Sequence, residues 1–164
     1  MAEVTGTYYE GNADIGYGSE LLVGQDDGSP ETFVALSDVI EVNLGGFNAE
    51  IIPKTHLRSP GRAQEKLTGL RDFENITVRC NYNRFHGSHK NAGGDGFTNG
   101  GMRALHRRQD QRNFLALVGS STPQEEIPIR GVVSGITQPV IGVSGKLEIT
   151  YTITPLHDYI ADLD

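Results

Sequence analysis

The chain has 164 residues, 37% hydrophobic and 21% charged, which is the size and balance of one globular domain with a single core. Its 14 basic and 21 acidic residues leave a net charge of −7, which argues against a sequence-reading nucleic-acid binder, because such binding needs Lys and Arg to neutralise several phosphates. No apolar run approaches the roughly 20 residues of a membrane span, Met1–Thr5 form neither a basic leader nor an apolar stretch, and the single cysteine, Cys80, allows no intrachain disulfide; membrane insertion and signal-driven secretion are therefore not expected, and synthesis in a reducing compartment is.

In chain order, Met1–Asp14 reads as an acidic N-terminal arm that stays mobile until it meets a partner, with residues 15–164 as the single folded domain. Glu20–Val23 and Thr32–Leu36 are short apolar runs of strand character, and Gln25–Pro30 between them carries the Asp, Gly and Pro of a hairpin loop. Ile40, Val42 and Leu44 alternate with Glu41 and Asn43, the period of a half-buried strand. Gly45–Leu70 then reads as a long loop, with a weak helical or irregular segment near Arg62–Leu67.

Ile76, Val78, Cys80 and Tyr82 restore the period-two pattern, which makes Cys80 a small core residue. A second long loop, Arg84–Gly101, leads into a short helix predicted over Met102–Asp110, with Met102 and Leu105 on its buried face. Phe114–Val118 and Ile127–Ile136 are further strands, Pro128 restricting its own to a sheet edge or a strand start. The clearest strand is the alternation Leu147, Ile149, Tyr151, Ile153. With 21 glycines feeding many turns, the fold class expected is mainly β: a sandwich or barrel of two sheets with one short α-helix and long inter-strand loops. Connections longer than about 12–15 residues are usually functional or ordered by a partner.

Charge divides along the chain. Residues 1–50 hold ten acids and no Lys or Arg, residues 51–112 hold twelve bases against five acids, and residues 113–164 hold two bases against six acids. In a self-assembling protein this division lets an acidic face of one copy meet a basic face of the next; in a monomer it is ordinary mixed surface. Arg103, Arg107, Arg108 and Arg112 have helical spacing but no aromatic interleaving, so they read as a solvated helix face or a protein interface rather than as a DNA-reading helix.

Chemistry-bearing patterns are sparse. His86 and His89 sit three residues apart in a Gly- and Asn-rich stretch with no carboxylate before Asp95, which reads as a polar loop with incidental histidines rather than a metal site. Gly93–Gly96 has no Gly-Lys-Ser/Thr ending and reads as a flexible tip rather than a phosphate cradle. Ser120, Ser121 and Ser134 lie outside any Gly-x-Ser-x-Gly elbow, and the adjacent Glu125 and Glu126 alternate faces. No catalytic, cofactor or metal residue is assigned, and no cofactor is expected.

Taken in order, several stretches resemble the major tail protein, or tail tube protein, of long-tailed non-contractile bacteriophages. The resemblance rests on Gly16–Gly24 followed by Gly28–Phe33, on Leu67–Phe73 with Ile76–Tyr82, on the Asn113-Phe114 strand after a short helix, and on Gly131–Gly135 leading through Pro139, Gly142 and Gly145–Glu148 to Ile153-Thr154-Pro155. It implies a structural virion subunit that stacks in hexameric rings around a tape-measure protein. It also implies tail terminator and tail tip proteins as further partners, and a lumen through which genome DNA passes without specific binding. The implied location is the virion tail, after a stay in the host cytoplasm. Acids should outnumber bases on the lumen wall, where they repel phosphate over the roughly 8 Å that charge reaches at physiological salt. Lys54, Arg58, Arg62 and Lys66 in the first long loop are the candidate inter-ring contacts, facing acids of residues 1–50 in another copy, with Arg107 and Arg108 as further oligomer contacts. Two alternatives stay open: a tube subunit of a contractile tail or secretion-system ring, and a carbohydrate-binding β-sandwich using tyrosines among Tyr8, Tyr9, Tyr17, Tyr82, Tyr151 and Tyr159 as sugar platforms.

Overall fold

The computed structural model describes residues 18–26, 28–54, 64, 66–120, 123–139, 141–142 and 145–156; the arm Met1–Asp14 lies outside them. The strands are β1 (Glu20–Gly24), β2 (Phe33–Ala35), β3 (Val39–Asn43), β4 (Phe47–Pro53), β5 (Lys66–Phe73), β6 (Ile76–Asn81), β7 (Gln111–Val118), β8 (Glu125–Thr137) and β9 (Glu148–Pro155), with one helix, α1 (Met102–Arg108), before β7. Seven form one antiparallel sheet in the order β2-β1-β7-β8-β9-β6-β3, and β4 and β5 form a separate two-stranded sheet. The fold is mainly β with one short helix, as the alternation of apolar residues predicts.

Period two explains the core. Leu21 and Val23 on β1, Ile76, Val78 and Cys80 on β6, Phe114 and Ala116 on β7, and Ile149, Tyr151 and Ile153 on β9 all point into one cluster, joined by Phe97, Met102 and Leu105 from the segment around α1. Residues between them face outward. Strands at both ends of the sheet order share this cluster, and β3 returns to lie near β1. The sheet therefore folds over on itself, and its two halves are the layers of the sandwich.

Local departures from the pattern have local causes. The register slips between Val39 and Glu41, so Val39 rather than Ile40 turns toward the core and Ile40 stays 42% exposed; a bulge shifts the phase of every residue before it. Pro128 lies in the first half of β8, opposite Leu115 of β7, and β9 joins β8 only from Gly131 onward. The helix stops at Arg108, short of the predicted Asp110, because Gln109 adopts a left-handed conformation (φ 54°) that caps it.

The loop expected over Gly45–Leu70 is instead mostly the β4–β5 hairpin, paired from Phe47↔Phe73 to Pro53↔Lys66. Lys66 and Leu67 accordingly lie in a strand rather than in the weak helical segment near Arg62–Leu67; the rest of that segment, apart from residue 64, is outside the described residues. The loop Arg84–Gly101 is irregular but anchored. Its Ser88, His89 and Phe97 are buried, and Met102 donates from its backbone to Ser88 at 2.8 Å while Gly101 donates to Lys90 at 2.9 Å.

Candidate assembly surfaces

Hairpin β4–β5 leaves three large apolar side chains uncovered. Its strands pack chiefly on each other, and its root is tied by the Glu74 amide donating to the Gly46 carbonyl at 3.0 Å and by Asn48 Nδ2 donating to Glu74 Oε1 at 3.0 Å. Farther out, Ile52 pairs with Leu67, which places both on one face of the two-stranded sheet. They are 43% and 49% exposed, and Ile51 beside them 55%. Lys54 and Lys66 are exposed next to this pair, Lys54 on its face of the hairpin and Lys66 on the other. Of the four basic residues predicted as contacts, these two thus meet at the outer end of one hairpin, while Arg58 and Arg62 lie outside the described residues.

A cleft of about 610 Å³ opens between β3 and the β1–β7 pair, lined by Val39, Ile40, Val42 and Leu44 on one side and by Ala116, Leu117 and Val118 on the other. Glu20 and Glu41 line it as well. Glu20, Leu117 of β7 and Glu126 of β8 are successive register partners, with Glu125 one row away, so one end of the sheet carries a concentration of carboxylates. Glu41 is paired with Arg79 of β6 at 3.2 Å, and Arg79 also lies 4.0 Å from Glu148.

The basic run does not form one face. Arg103 is half-buried with its guanidinium 5.0 Å from the Tyr82 ring centre and bonded to Gln138 at 3.0 Å. Arg112 is not helical: it lies on β7, buried, with Asp110 at 3.5 Å and Asp26 at 4.0 Å. Only Arg107 and Arg108 are exposed, and Arg108 is held locally by Asp110 at 2.8 Å and by the Asn99 carbonyl at 2.6 Å.

His89 is not an incidental loop residue. It is 1% exposed, and its Nδ1 shares a 2.6 Å hydrogen bond with the Tyr151 hydroxyl. Burial holds its pKa below the ordinary 6.5, against the opposing pull of the Ser37 backbone, which favours the protonated ring. His86 turns away to Ser88, Nδ1 to Oγ 2.8 Å. Among the described residues no three His, Cys, Asp or Glu side chains come together as a metal set. The Gly93–Gly96 tip is likewise a packed turn rather than a flexible one, closed by reciprocal backbone bonds between Gly94 and Phe97 at 3.1 and 3.0 Å.

Sequence reading missed Ile51, Ile52 and Leu67 as exposed apolar residues, and missed the Glu20 and Glu41 cleft. The first had a faint signal in the spacing of Phe47, Ala49 and Ile51. The second had none, since its walls come from strands about eighty residues apart in sequence.

No protein-family model matches the chain, and no curated protein matches it. The fold is shared with solved structures at low identity. One is a chain in the virion of a native gene transfer agent particle, with a TM-score of 0.57 at 16% identity over 83% of this chain and 90% of that one. Another is a chain from the tail of an empty gene transfer agent particle with C6 symmetry, with a TM-score of 0.55 at 17% identity and the same coverage. A third is a chain of the six-fold symmetrised baseplate of the anti-feeding prophage, with a TM-score of 0.52 at 7% identity over 84% of this chain and 87% of that one.

Proposed function

We propose that this chain is a structural subunit of a virion tail, assembling with copies of itself into stacked hexameric rings that form the conduit for DNA ejection. The observation that carries the reading is the β4–β5 hairpin, which holds Ile51, Ile52 and Leu67 in water when the chain is alone. Exposed apolar residues on a stiff element are characteristic of an interface awaiting its partner. Support comes from the fold, which is that of chains found in assembled tail and baseplate particles. The role is structural rather than catalytic and needs no cofactor. Its further partners are a tape-measure protein inside the tube and terminator and tip proteins at its ends, and the subunit waits in the host cytoplasm before assembly. The lumen wall carries more acids than bases and lets DNA pass without specific binding.

Lys54 and Lys66, with Arg58 and Arg62 between them in sequence, are the inter-ring contacts in this reading, and Arg107 and Arg108 are secondary oligomer contacts. A baseplate ring subunit is the second reading, favoured by the likeness to the anti-feeding prophage baseplate chain. Negative-stain electron microscopy over a range of protein and salt concentration tests both. Hollow tubes are expected from a tube subunit, and rings that never stack from a baseplate subunit. Single particles under every condition would overturn self-assembly.

A further inference from the structure

We propose that the outer half of hairpin β4–β5 of one copy seats in the cleft between β3 and the β1–β7 pair of a second copy. Ile52 and Leu67 would face the apolar walls, and Lys54, two residues beyond Ile52 on the same face, would face Glu20 and Glu41. The inference rests on the self-assembly reading and gives it an address.

Three observations meet here. The first is apolar fit: the Ile52/Leu67 pair is exposed, and the cleft exposes Ile40 together with the half-buried Val39, Val42 and Leu44. Covering both surfaces removes apolar area from water, which is the main favourable term in association. The second is charge. The docking face of the hairpin carries Lys54, and the cleft carries Glu20, with Glu125 and Glu126 close by in register, beside Glu41, which Arg79 pairs from its own chain. Opposed charge of this kind fixes register and rejects wrong partners.

The third observation is where the two surfaces sit on one chain. Leu44 lines the cleft and runs through Gly45 and Gly46 directly into β4. The cleft is therefore at the root of the hairpin, whereas Ile52 is five strand residues farther out, about 17 Å along an extended chain. The hairpin is stiffened by pairing along its length and leaves Ile52 and Leu67 exposed, so its end does not fill its own cleft. Its partner is the cleft of another copy.

Cysteine cross-linking between differently tagged copies tests this. Native Cys80 is buried and free, so it does not compete with an introduced surface thiol. Copies carrying Leu67→Cys are mixed with copies carrying Ile40→Cys and oxidised. The control mixture uses Ile141→Cys, whose position is 93% exposed. At least tenfold more mixed disulfide at position 40 than at position 141 is expected. Adding Lys54→Glu to the first copy should lower that yield, and adding Glu20→Lys to the second should restore it. Equal yields at positions 40 and 141 would overturn the docking, as would failure of the charge exchange to restore. So would closure of a Leu67→Cys/Ile40→Cys double variant within single chains at high dilution, which would place the hairpin in its own cleft. Electron microscopy of the same samples separates the two readings. Tubes without cross-link preference sink the docking and keep the tube, and cross-link preference without rings or tubes keeps the docking and sinks the tube.

Discussion

His89 and Tyr151 lie almost parallel in the core, their rings 5.8 Å apart at 10° and joined by a 2.6 Å hydrogen bond. One residue comes from an irregular segment and the other from a central strand, 62 positions later. The pair therefore fastens the Arg84–Gly101 segment to the sheet. Replacing Tyr151 with Phe would leave a buried imidazole nitrogen without its partner, at a cost of about 1–3 kcal/mol. Denaturant unfolding of the variant should show a lower midpoint at unchanged slope.

The same histidine sets an acid limit. Its pKa is held below the ordinary 6.5 by burial, so as pH falls through about 6.5 the unfolded chain binds a proton that the folded chain refuses. Stability contributed here is complete above that value and declines below it, until the folded-state pKa is reached. Unfolding midpoints should fall from pH 7 to pH 5, with a smaller fall in His89→Gln. An equal fall in both would remove His89 as the cause.

An alkaline limit follows from Cys80, whose thiol burial, aided by Asp38, pushes up from 9.0 to about 12. Between these values the unfolded thiol ionises while the folded one keeps its proton, so stability declines as pH rises above 9. Tyr151 is pushed in the same direction, chiefly by burial, and adds to the decline above about 10. Cys80→Ala should flatten the first part of this profile. In the wild-type protein a thiol reagent at pH 8 should react only after denaturant is added, because Cys80 is inaccessible in the fold.

Gly87 and Gly94 pass so closely that a side chain on the first would collide with the carbonyl of the second. Gly87→Ala should therefore cost about 1–3 kcal/mol by forcing backbone apart. It should also make the Arg84–Gly101 segment a site of limited proteolysis, which the wild type resists. Wild-type resistance retained by the variant would show that the two backbones can move apart freely.

Ile149 and Ile52 separate folding from association. Ile149 is fully buried, and its replacement by Ala should cost about 2–5 kcal/mol. Ile52 is exposed, and Ile52→Ala should change monomer stability by less than about 0.5 kcal/mol while raising the protein concentration needed for assembly. Thermal unfolding paired with sedimentation reads both quantities on the same samples.

What the sequence disclosed depended on where apolar residues are buried. β6 and β9 were plain because every second residue enters the core, and the apolar run of β8 marked a strand, though not its full extent from Glu125. The β4–β5 hairpin was not, because Ile51, Ile52 and Leu67 stay exposed and so impose no alternation; Ile51 and Ile52 stand side by side, with Pro53 after them. Its bases were nonetheless visible, so Lys54 and Lys66 could be named without knowing that a strand pair carries them. The core role of His89 was hidden for a different reason, since nothing in a stretch of Gly, Ser and Asn announces a hydrogen bond to a residue 62 positions away. The cleft was beyond reach altogether, as it exists only where the sheet folds over.

Pro128 has a consequence for how this protein avoids associating wrongly. The Arg130 carbonyl accepts from the Leu156 amide at 2.9 Å, so Arg130 directs its backbone groups away from β7, and by the two-residue alternation Pro128 does the same. On that side, before Gly131, β8 pairs with no strand among the described residues. A proline there removes the one donor that an intruding strand would need. That stretch of β8 is thus a poor template for cross-β growth, whatever else the surface of the chain recruits.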